Sequence, residues 1–490
     1  MTVFFLILSG AWLRFIHLGE RSFWNDEAWL ANVLIQKNLF QVFAAQDPST
    51  PPLPPLFLFF SHCIVILSKP NEFFLRLLPC LSGILALPFI YFFAKQLFDR
   101  KAALASLFLI SFNTFCIYYS KELKPYSTEM FFAVLFLFLA EKLIRDSEQK
   151  KNFWLFGLVS VAGIFISHSF IFISSVVSLV IIAEGSRKNR AAARFGVSIF
   201  LITLSLFVFL FLFYTQKRIS PALAAYWIPN YVDGSSVKSF LSWNLATARE
   251  FFNLYSNFHY VSPPFIQRVI FGIFLFVFSM GFVDIFKRKE RRFLGYFLGI
   301  FSLLYLASAC KQYPFAPRLA LFAMPLLFII LGNGLSVCYG YLVSKKINKQ
   351  VLAVGVFSLA FLYLIAPVRE NIVNPTKREE MRPLVQKILE KYQPNDAIYV
   401  YYGARSAFQF YWPRPAAYTK GSAHRENMDQ YETDIHQFLN QNHGKRVWLI
   451  FSHNWWIKDE RKFILELVLK ERKPLAQFQA TGASAYLFGS

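Results

Sequence analysis

The sequence has few charged residues, and this scarcity limits the classes of protein to which it can belong. Asp, Glu, Lys and Arg make up 16% of the 490 residues, whereas 56% of the residues are hydrophobic and 59 are phenylalanine. A soluble protein of this length could not enclose so much apolar surface in its core. A water-soluble fold is therefore excluded, and most of the chain is expected to face lipid.

Cysteine is also scarce, and its distribution excludes two ways of stabilising a fold. All five cysteines lie in or beside apolar segments, and the polar C-terminal region has none. Cysteines that lie in apolar membrane segments argue against a disulfide framework and against a structural zinc site. Neither is expected for Cys63, Cys80, Cys116, Cys310 and Cys338.

Several nucleotide-binding and catalytic motifs are missing as well. The sequence contains no Walker loop, no dinucleotide fingerprint, no nucleophile elbow and no HExxH motif. Without a loop for nucleotide phosphates, any activated donor is expected to arrive already attached to lipid. The net charge of +22 does not indicate a nucleic-acid partner, because the basic residues form short clusters between apolar runs.

Long apolar runs dominate the first three quarters of the chain and predict a polytopic α-helical membrane protein. A helix needs about 20 apolar residues to cross roughly 30 Å of hydrocarbon. About eleven apolar runs are long enough to cross the membrane as helices. They lie near residues 1–18, 73–97, 101–119, 127–144, 153–167, 169–184, 195–214, 265–286, 293–309, 316–337 and 350–366.

Basic loops decide how these spans are oriented. Positive clusters favour the cytoplasmic side of a membrane, and here they lie at 99–101, 145–151, 187–194, 287–292 and 345–349. All five clusters share the cytoplasmic side only if the short run at 53–67 is a re-entrant or interfacial helix. The N-terminus is then cytoplasmic, and we expect a multi-pass protein of the inner (plasma) membrane.

The composition becomes polar after Pro367, which predicts a separate domain. A helix over 377–392 and strands near 397–402, 446–451, 475–479 and 485–488 indicate a small α/β domain. The expected organisation is a transmembrane catalytic domain over 1–366, with a long first external loop at about 19–72, and an extracytoplasmic α/β domain over 367–490.

Adjacent carboxylates in the first external loop are the sharpest candidate site. Asp26 and Glu27 follow Trp24 just after the first span. A carboxylate in such an aromatic, partly dry setting can act as a general base. The alternative is structural: Asp26 caps a helix that begins at Ala28, and Glu27 lies in its first turn.

Cations in two other external loops could bind a lipid phosphate. Lys121 and Lys124 lie outside against the positive-inside preference, and Arg76 lies early in the second span. The alternatives are snorkelling of the lysines to headgroups and neutralisation of Arg76 by Glu72. Arg318, which follows a proline-rich turn, adds a fourth external cation.

Other external residues are weaker candidates. His168 lies at a tight turn between two spans, where a structural polar residue is the alternative. The loop at 215–264 carries aromatic residues that could stack on sugars or form an interfacial belt. The additional candidates are Glu122, Tyr126, His168, Lys311 and Tyr313, and the aromatic loop offers Tyr226, Trp227, Trp243, His259 and Tyr260.

The order of these motifs resembles the membrane-embedded C-type (GT-C) glycosyltransferases, in particular the family-39-like group of protein O-mannosyltransferases and aminoarabinose transferases. The matching residues are Asp26-Glu27, the proline turn Thr50-Pro51-Pro52-Leu53, Arg76, Ser120 to Tyr126, and Tyr313 to Pro325 with Arg318. In the proline turn, Thr50 replaces the usual His, and in the second external loop, Lys121 and Lys124 replace the usual arginines.

The resemblance implies inverting sugar transfer from a polyprenyl-phosphate-linked donor to a lipid, glycan or protein acceptor. Asp26 is implied as the base, and Glu27 orients it or binds acceptor. The donor phosphate is implied to lie against Arg76, Lys121, Lys124 and Arg318. The resemblance carries over no second catalytic acid, and it allows a divalent metal without specifying one.

Two competing functions are consistent with the same apolar composition. A transporter or lipid flippase should show inverted repeats or broken spans with polar midplane residues, and neither is visible. A glycan polymerase or ligase is not expected to combine an Asp-Glu first loop with a C-terminal α/β domain. The glycosyltransferase hypothesis is therefore preferred.

Overall fold

The computed structural model describes residues 1–45, 52–146, 149–188, 190–216, 221–258, 264–413, 418–422, 428–453 and 458–490. Thr50 and Pro51 of the proline turn, and His259 and Tyr260 of the aromatic loop, lie outside these ranges. Most of the described chain is helical. The helices in chain order are α1 (Thr2–Phe15), α2 (Asn25–Gln36), α3 (Leu39–Ala44), α4 (Pro55–Leu67), α5 (Glu72–Leu75), α6 (Leu77–Leu97), α7 (Arg100–Ser111), α8 (Thr114–Ser120), α9 (Tyr126–Arg145), α10 (Lys150–Ile166), α11 (Phe170–Lys188), α12 (Arg190–Leu210), α13 (Pro221–Tyr226), α14 (Val237–Tyr255), α15 (Pro264–Lys287), α16 (Arg291–Ala309), α17 (Met324–Ser344), α18 (Lys349–Val368), α19 (Met381–Lys391), α20 (Arg405–Tyr411), α21 (Met428–Gln441) and α22 (Lys458–Glu471).

The described residues divide into two compact units that are not simple halves of the sequence. The first unit comprises Met1–Ile16, Phe43–Cys63 and Arg76–Pro375, and the second comprises His17–Val42, Ile64–Leu75 and Thr376–Ser490. Most of the first external loop therefore belongs to the same unit as the C-terminal region. The two units are defined by packing contacts and not by position relative to a membrane. The domain boundary after residue 366 therefore stays a prediction.

Each predicted span contains helical residues, but those at 73–97 and 101–119 are each divided into two helices, and the α-helix in the span at 316–337 begins only at Met324. By length and composition, six helical segments of the described chain can cross a membrane, or seven if α7 and α8, bent by 58°, form one span. The six are Leu77–Leu97, Arg190–Thr215, Phe265–Lys287, Arg291–Ala309, Leu321–Ser344 and Lys349–Val373. The polytopic helical fold is confirmed, and the number eleven stays a prediction.

The break between α7 and α8 has a local cause in the sequence. Asn113 adopts an extended backbone conformation, and its side chain accepts a hydrogen bond from the Cys116 amide, which caps α8. The Asn113 amide group also donates to Asn257 Oδ1 at 3.1 Å, and the Asn257 amide group donates to the Phe112 carbonyl at 2.7 Å. These buried bonds satisfy the polar groups exposed by the break and fix the direction of α8, which leads to Lys121.

The second unit contains a mixed five-stranded sheet. Its strands are β1 (Ala397–Val400), β2 (Thr419–Lys420), β3 (Val447–Ser452), β4 (Pro474–Ala480) and β5 (Ala483–Phe488). Their order is β2-β1-β3-β5-β4, with β1 parallel to β2 and β3, and β5 antiparallel to both β3 and β4. Strands β1 and β3 are buried along their whole length, as expected for strands covered on both faces. The predicted C-terminal α/β architecture is confirmed.

Helix α19 begins later than the sequence predicts. The expected start was Lys377, but the first helical residue is Met381. The Glu380 amide donates to the Thr481 carbonyl at 2.8 Å, at the turn between β4 and β5. Because this amide is used in a long-range bond, the residues directly before Met381 are not helical, and their side chains contact neighbouring segments.

An ion pair between Asp396 and Arg446, the residues that directly precede β1 and β3, predicts acid sensitivity. Asp396 accepts from Arg446 Nε at 2.8 Å, from Arg446 Nη2 at 2.7 Å and from Trp448 Nε1 at 2.9 Å. Burial raises the pKa of Asp396, but hydrogen bonds from Arg446, the Gln393 amide and Trp448 outweigh it and hold the pKa below its ordinary value.

Replacing Asp396 with asparagine is expected to destabilise the protein by about 2 kcal/mol at pH 7, because Arg446 is left without its anionic partner. A carboxylate whose pKa is lower in the folded state than in the unfolded state stabilises the fold at pH values above the unfolded-state pKa. This stabilisation is lost as the pH falls through the folded-state pKa. The difference between wild type and Asp396→Asn should therefore shrink below about pH 4. Thermal unfolding in detergent from pH 7 to 3 measures it, with Glu432→Gln as an exposed control. A difference that is constant with pH would contradict the prediction.

Candidate active site

The Asp26-Glu27 pair lies at the start of α2, in the second unit. The helix begins at Asn25, with Trp24 at the cap position, so Asp26 and Glu27 both lie in its first turn. The predicted alternative, in which Asp26 caps a helix starting at Ala28, is wrong about the cap and the start, whereas its placement of Glu27 in the first turn is confirmed. The Trp24 side chain makes no cap hydrogen bond, and the Asn25 amide donates instead to Glu379 Oε2 at 3.0 Å.

The two carboxylates have different surroundings. Glu27 is fully buried and lies 3.7 Å from Arg21 Nη2, whereas Asp26 is partly exposed. A buried, paired carboxylate suits an orienting role, and a partly exposed one can reach a reacting hydroxyl. Both carboxylates lie at a helix N-terminus, where the backbone dipoles stabilise negative charge.

The turn from Ser120 to Tyr126, in the first unit, holds several of the predicted residues. Lys121 follows α8, and its Nζ donates to Asn371 Oδ1 at 3.0 Å. Asn371 lies on a π-helical turn (Arg369–Val373) after α18 and is held by a bond to the Pro367 carbonyl at 3.0 Å. Glu122 and Lys124 of the same turn are buried. The turn is thus a fixed part of the fold.

Arg318 joins this turn to the aromatic loop. Its guanidinium lies 4.8 Å from the centre of the Trp227 ring, and its Nη2 donates to the Tyr226 hydroxyl at 3.3 Å. Arg318 also interacts electrostatically with Tyr126 and Glu122. The structure therefore brings three predicted site residues, Arg318, Glu122 and Tyr126, into one cluster. Stacking of a guanidinium on indole fixes its plane and direction.

His168 holds the proline turn and does not supply a cation. Its Nε2 lies 3.2 Å from the Pro52 carbonyl oxygen, and the Tyr214 hydroxyl donates to the next carbonyl, of Leu53, at 3.0 Å. Burial lowers the pKa of His168 to about 4, so the imidazole is neutral at pH 7. These contacts favour the structural interpretation of His168.

The remaining predicted residues have varied environments. Arg76 is fully buried, in the first unit. Lys311 is exposed and has a positive φ of 57°, which marks a turn. The Tyr313 hydroxyl donates to the Leu319 carbonyl at 2.9 Å and so braces the loop that carries Arg318. Trp243 packs against Phe315, with ring centres 6.4 Å apart.

Three contacts of the candidate residues, two in the first unit and one in the second, were missed by the sequence interpretation. Asn371 is the partner of Lys121, and Glu250 of α14 interacts electrostatically with Arg318. Glu379 receives the hydrogen bond from the start of α2. Asn371 and Glu379 lie 250 and 354 residues from their partners, and α15 and α16 separate Glu250 from Arg318, so no local pattern could indicate these contacts. In the described part of the chain, no group of three or more His, Cys, Asp or Glu side chains is arranged to hold a metal.

Solved structures with the same fold decide the architecture. The chain aligns with an oligosaccharyltransferase from Archaeoglobus fulgidus in the apo form, with a TM-score of 0.56 and 14% identity over 99% of this chain and 74% of that one. It aligns equally with ArnT from Cupriavidus metallidurans bound to undecaprenyl phosphate, with a TM-score of 0.56 and 13% identity over 99% and 97% of the two chains. The chain has the GT-C fold. The archaeal oligosaccharyltransferase AglB, in complex with an inhibitory peptide and a dolichol-phosphate, also aligns with it, with a TM-score of 0.52 and 13% identity over 99% and 74% of the chains.

A family model supports the same assignment from sequence. Residues 49–214 match the model described as dolichyl-phosphate-mannose-protein mannosyltransferase. A comparison with curated proteins gives no match. The GT-C fold confirms the predicted fold class, and the family match over part of the chain supports the predicted enzyme class, a glycosyltransferase.

Proposed function

We propose that this protein transfers a sugar from a polyprenyl-phosphate-linked donor to an acceptor at the external face of the membrane. The observation that carries the proposal is the GT-C fold over 99% of the chain, shared with ArnT bound to undecaprenyl phosphate. A second neighbour binds a dolichol-phosphate. Both lipids are polyprenyl phosphates, and the family match over residues 49–214 is named for a dolichyl-phosphate donor.

The chemistry of such a donor requires positive charge more than a general acid. When the bond between the anomeric carbon and the phosphate oxygen breaks, the electron pair stays on a phosphate that is already anionic. Preorganised cations stabilise this developing charge strongly in a water-poor site. We assign this role to Arg318 first, because its stacked guanidinium lies in a cluster with Glu122 and Tyr126. Lys121, Lys124 and Arg76 are the further candidates.

The acceptor must lose a proton as it attacks. We assign the base to Asp26, which takes the proton of the acceptor hydroxyl. The oxygen of that hydroxyl bonds to the anomeric carbon from the face opposite the phosphate. The configuration of the sugar is thereby inverted. Asp26 is the more exposed carboxylate of the pair, and Glu27, buried beside Arg21, is assigned to orientation. A lipid, a glycan or a protein hydroxyl can serve as acceptor in this scheme.

The proposed sidedness follows from the basic loops. With the N-terminus cytoplasmic, the Asp26 loop, the Lys121 turn and the Arg318 loop are all extracytoplasmic, as is the C-terminal α/β domain. We place the protein in the inner (plasma) membrane, where a polyprenyl-phosphate sugar, membrane lipid and an envelope acceptor meet.

Release of free polyprenyl phosphate tests this function. Purified protein is incubated with a panel of polyprenyl-phosphate sugars and an extract of envelope acceptors, and the mass of the acceptor is followed. We expect one donor to be consumed, with equal amounts of free lipid phosphate and glycosylated acceptor. If folded protein in sealed vesicles moves donor lipid between leaflets without breaking the sugar bond, the transporter alternative replaces this proposal.

A further inference from the structure

The chain that leads into Asp26 is held by residues from the other end of the sequence, within the second unit. The backbone amides of Ser22, Phe23 and Asn25 donate to side chains more than 350 residues away. The bonds run from Ser22 N to Glu380 Oε1 at 3.3 Å, from Phe23 N to the Tyr411 hydroxyl at 2.7 Å, and from Asn25 N to Glu379 Oε2 at 3.0 Å.

Glu379 makes the bond closest to the proposed base. Its side chain is fully buried, and its second oxygen lies 2.8 Å from His453 Nδ1. A helix N-terminus leaves amide hydrogens without partners, and a side-chain oxygen at the cap position usually accepts one. Trp24 has no such oxygen, so Glu379 supplies it from a distant part of the chain. The start of α2 therefore does not depend on Asp26 for its cap.

His453 extends this contact to the Trp24 side chain. It follows β3 directly, has a positive φ of 63°, and its ring stacks on Trp24 with centres 6.1 Å apart and planes 12° apart. The guanidinium of Arg378 lies 3.6 Å from the centre of the Trp24 ring. Contacts to its ring therefore fix Trp24, which directly precedes α2, and the hydrogen bond of its amide to Glu379 fixes Asn25, the first residue of α2.

The segment that carries Glu379 is itself anchored to the sheet. The Glu380 amide donates to the Thr481 carbonyl in the β4-β5 turn. At the same turn Gly482 has a positive φ of 68°, and an added Cβ would lie 2.0 Å from the Arg378 carbonyl oxygen. Only glycine permits this approach. A series of short contacts therefore connects the β4-β5 turn, through Glu380 and Glu379, to the start of α2.

We propose that Glu379 and His453 are positioning residues that fix Asp26 for proton abstraction, so that the C-terminal region completes the catalytic machinery. This inference rests on the proposed function, with Asp26 as base. A base must lie within hydrogen-bond reach of the acceptor hydroxyl, and a displacement of about 1 Å can cost about 100-fold in rate. Glu379 controls the helix end on which Asp26 lies, and His453 orients Glu379.

The test compares Glu379→Ala with Glu379→Gln in the full-length protein in detergent, by release of polyprenyl phosphate. Alanine removes the side-chain oxygen that accepts from the Asn25 amide and the carboxylate that contacts His453, and we expect kcat to fall about 30-fold while the donor KM changes less than about 2-fold. Glutamine can accept from the Asn25 amide and donate to a neutral His453, so it should restore kcat to within about 3-fold of wild type. The melting temperature is measured for each variant.

A second His-Glu contact in the same unit gives a matched control. His436 Nδ1 lies 2.7 Å from Glu471 Oε1, with side chains 43% and 37% exposed. Glu471→Ala should leave kcat unchanged. If Glu379→Ala is not recovered folded, His453→Gly is tested instead. It removes the imidazole, and glycine tolerates the positive φ at this position. We expect this variant to lower kcat about 5-fold or more.

The outcomes separate this inference from the function on which it rests. An active wild type with unchanged kcat in folded Glu379→Ala, or in His453→Gly where it replaces that variant, overturns the positioning role alone. A fall in kcat shared equally by Glu471→Ala also overturns it, because the effect would then be general destabilisation. A folded wild type that releases no lipid phosphate from any donor contradicts the proposed function instead.

Discussion

Replacing Asp26 with asparagine is expected to lower kcat for sugar transfer by a factor of about 1,000, with little change in donor affinity. General-base catalysis contributes about 100- to 10,000-fold, and asparagine has nearly the same shape without the ability to take a proton. Asp26 is the partly exposed carboxylate of the first turn of α2. The measurement is release of polyprenyl phosphate under saturating donor, together with donor binding by the same purified protein.

The control for this substitution lies in the same loop. Glu20 pairs with His17 at 2.6 Å, and its side chain is 68% exposed. Glu20→Gln removes one negative charge from the loop and should leave kcat unchanged. If Asp26→Asn keeps wild-type kcat while remaining folded, the base lies elsewhere, with Glu27 and Glu122 as the next candidates, and the transferase proposal itself survives.

Replacing Arg318 with methionine is expected to lower kcat about 100- to 1,000-fold, as for the loss of one preorganised charge-stabilising group. Methionine keeps much of the side-chain length and its contact with Trp227, but it cannot stabilise the departing phosphate. Arg318→Lys should recover only part of the rate, because an ammonium group lacks the planar, stacked geometry that Trp227 and Tyr226 impose. Both variants are assayed by single-turnover release of lipid phosphate.

Lys238 of α14 provides the matched control for charge. It is exposed and lies in the same external loop region as Tyr226, so Lys238→Met removes a cation of that loop without touching the Arg318 cluster. Its kcat should equal that of wild type. An equal loss of rate in Lys238→Met and Arg318→Met would indicate a general electrostatic effect on the anionic lipid and would remove the specific role of Arg318.

The sequence was sufficient for the features that depend on composition and local pattern. Apolar runs of adequate length predicted the helical membrane region, and strand-like segments in the polar C-terminal region predicted β1, β3, β4 and β5 within a few residues. Strand β2, with two residues, is too short to leave a pattern. The start of α19 was misplaced, because a bond between Glu380 and the distant Thr481 carbonyl overrides the local helix signal.

The candidate site was predicted in its residue types but not in its contacts. Loop charge and motif order indicated Asp26, Lys121 and Arg318, and the structure joins Arg318 to Glu122 and Tyr126. The alternative cap role of Asp26 was wrong, since Glu379 takes that role across more than 350 residues. Pairings over such separations depend on tertiary packing, which no local spacing encodes.

The compact unit formed by residues 17–42, 64–75 and 376–490 has a consequence for biosynthesis. A ribosome makes the chain from its N-terminus, so the segment with Asp26 is made long before Glu379, Tyr411 and His453 exist. In the proposed topology, its backbone amides stay hydrated until the last quarter of the chain has crossed the membrane. Under the proposed function, incomplete products carry the proposed base without these contacts, and we expect sugar transfer only after the final strand, β5, has paired.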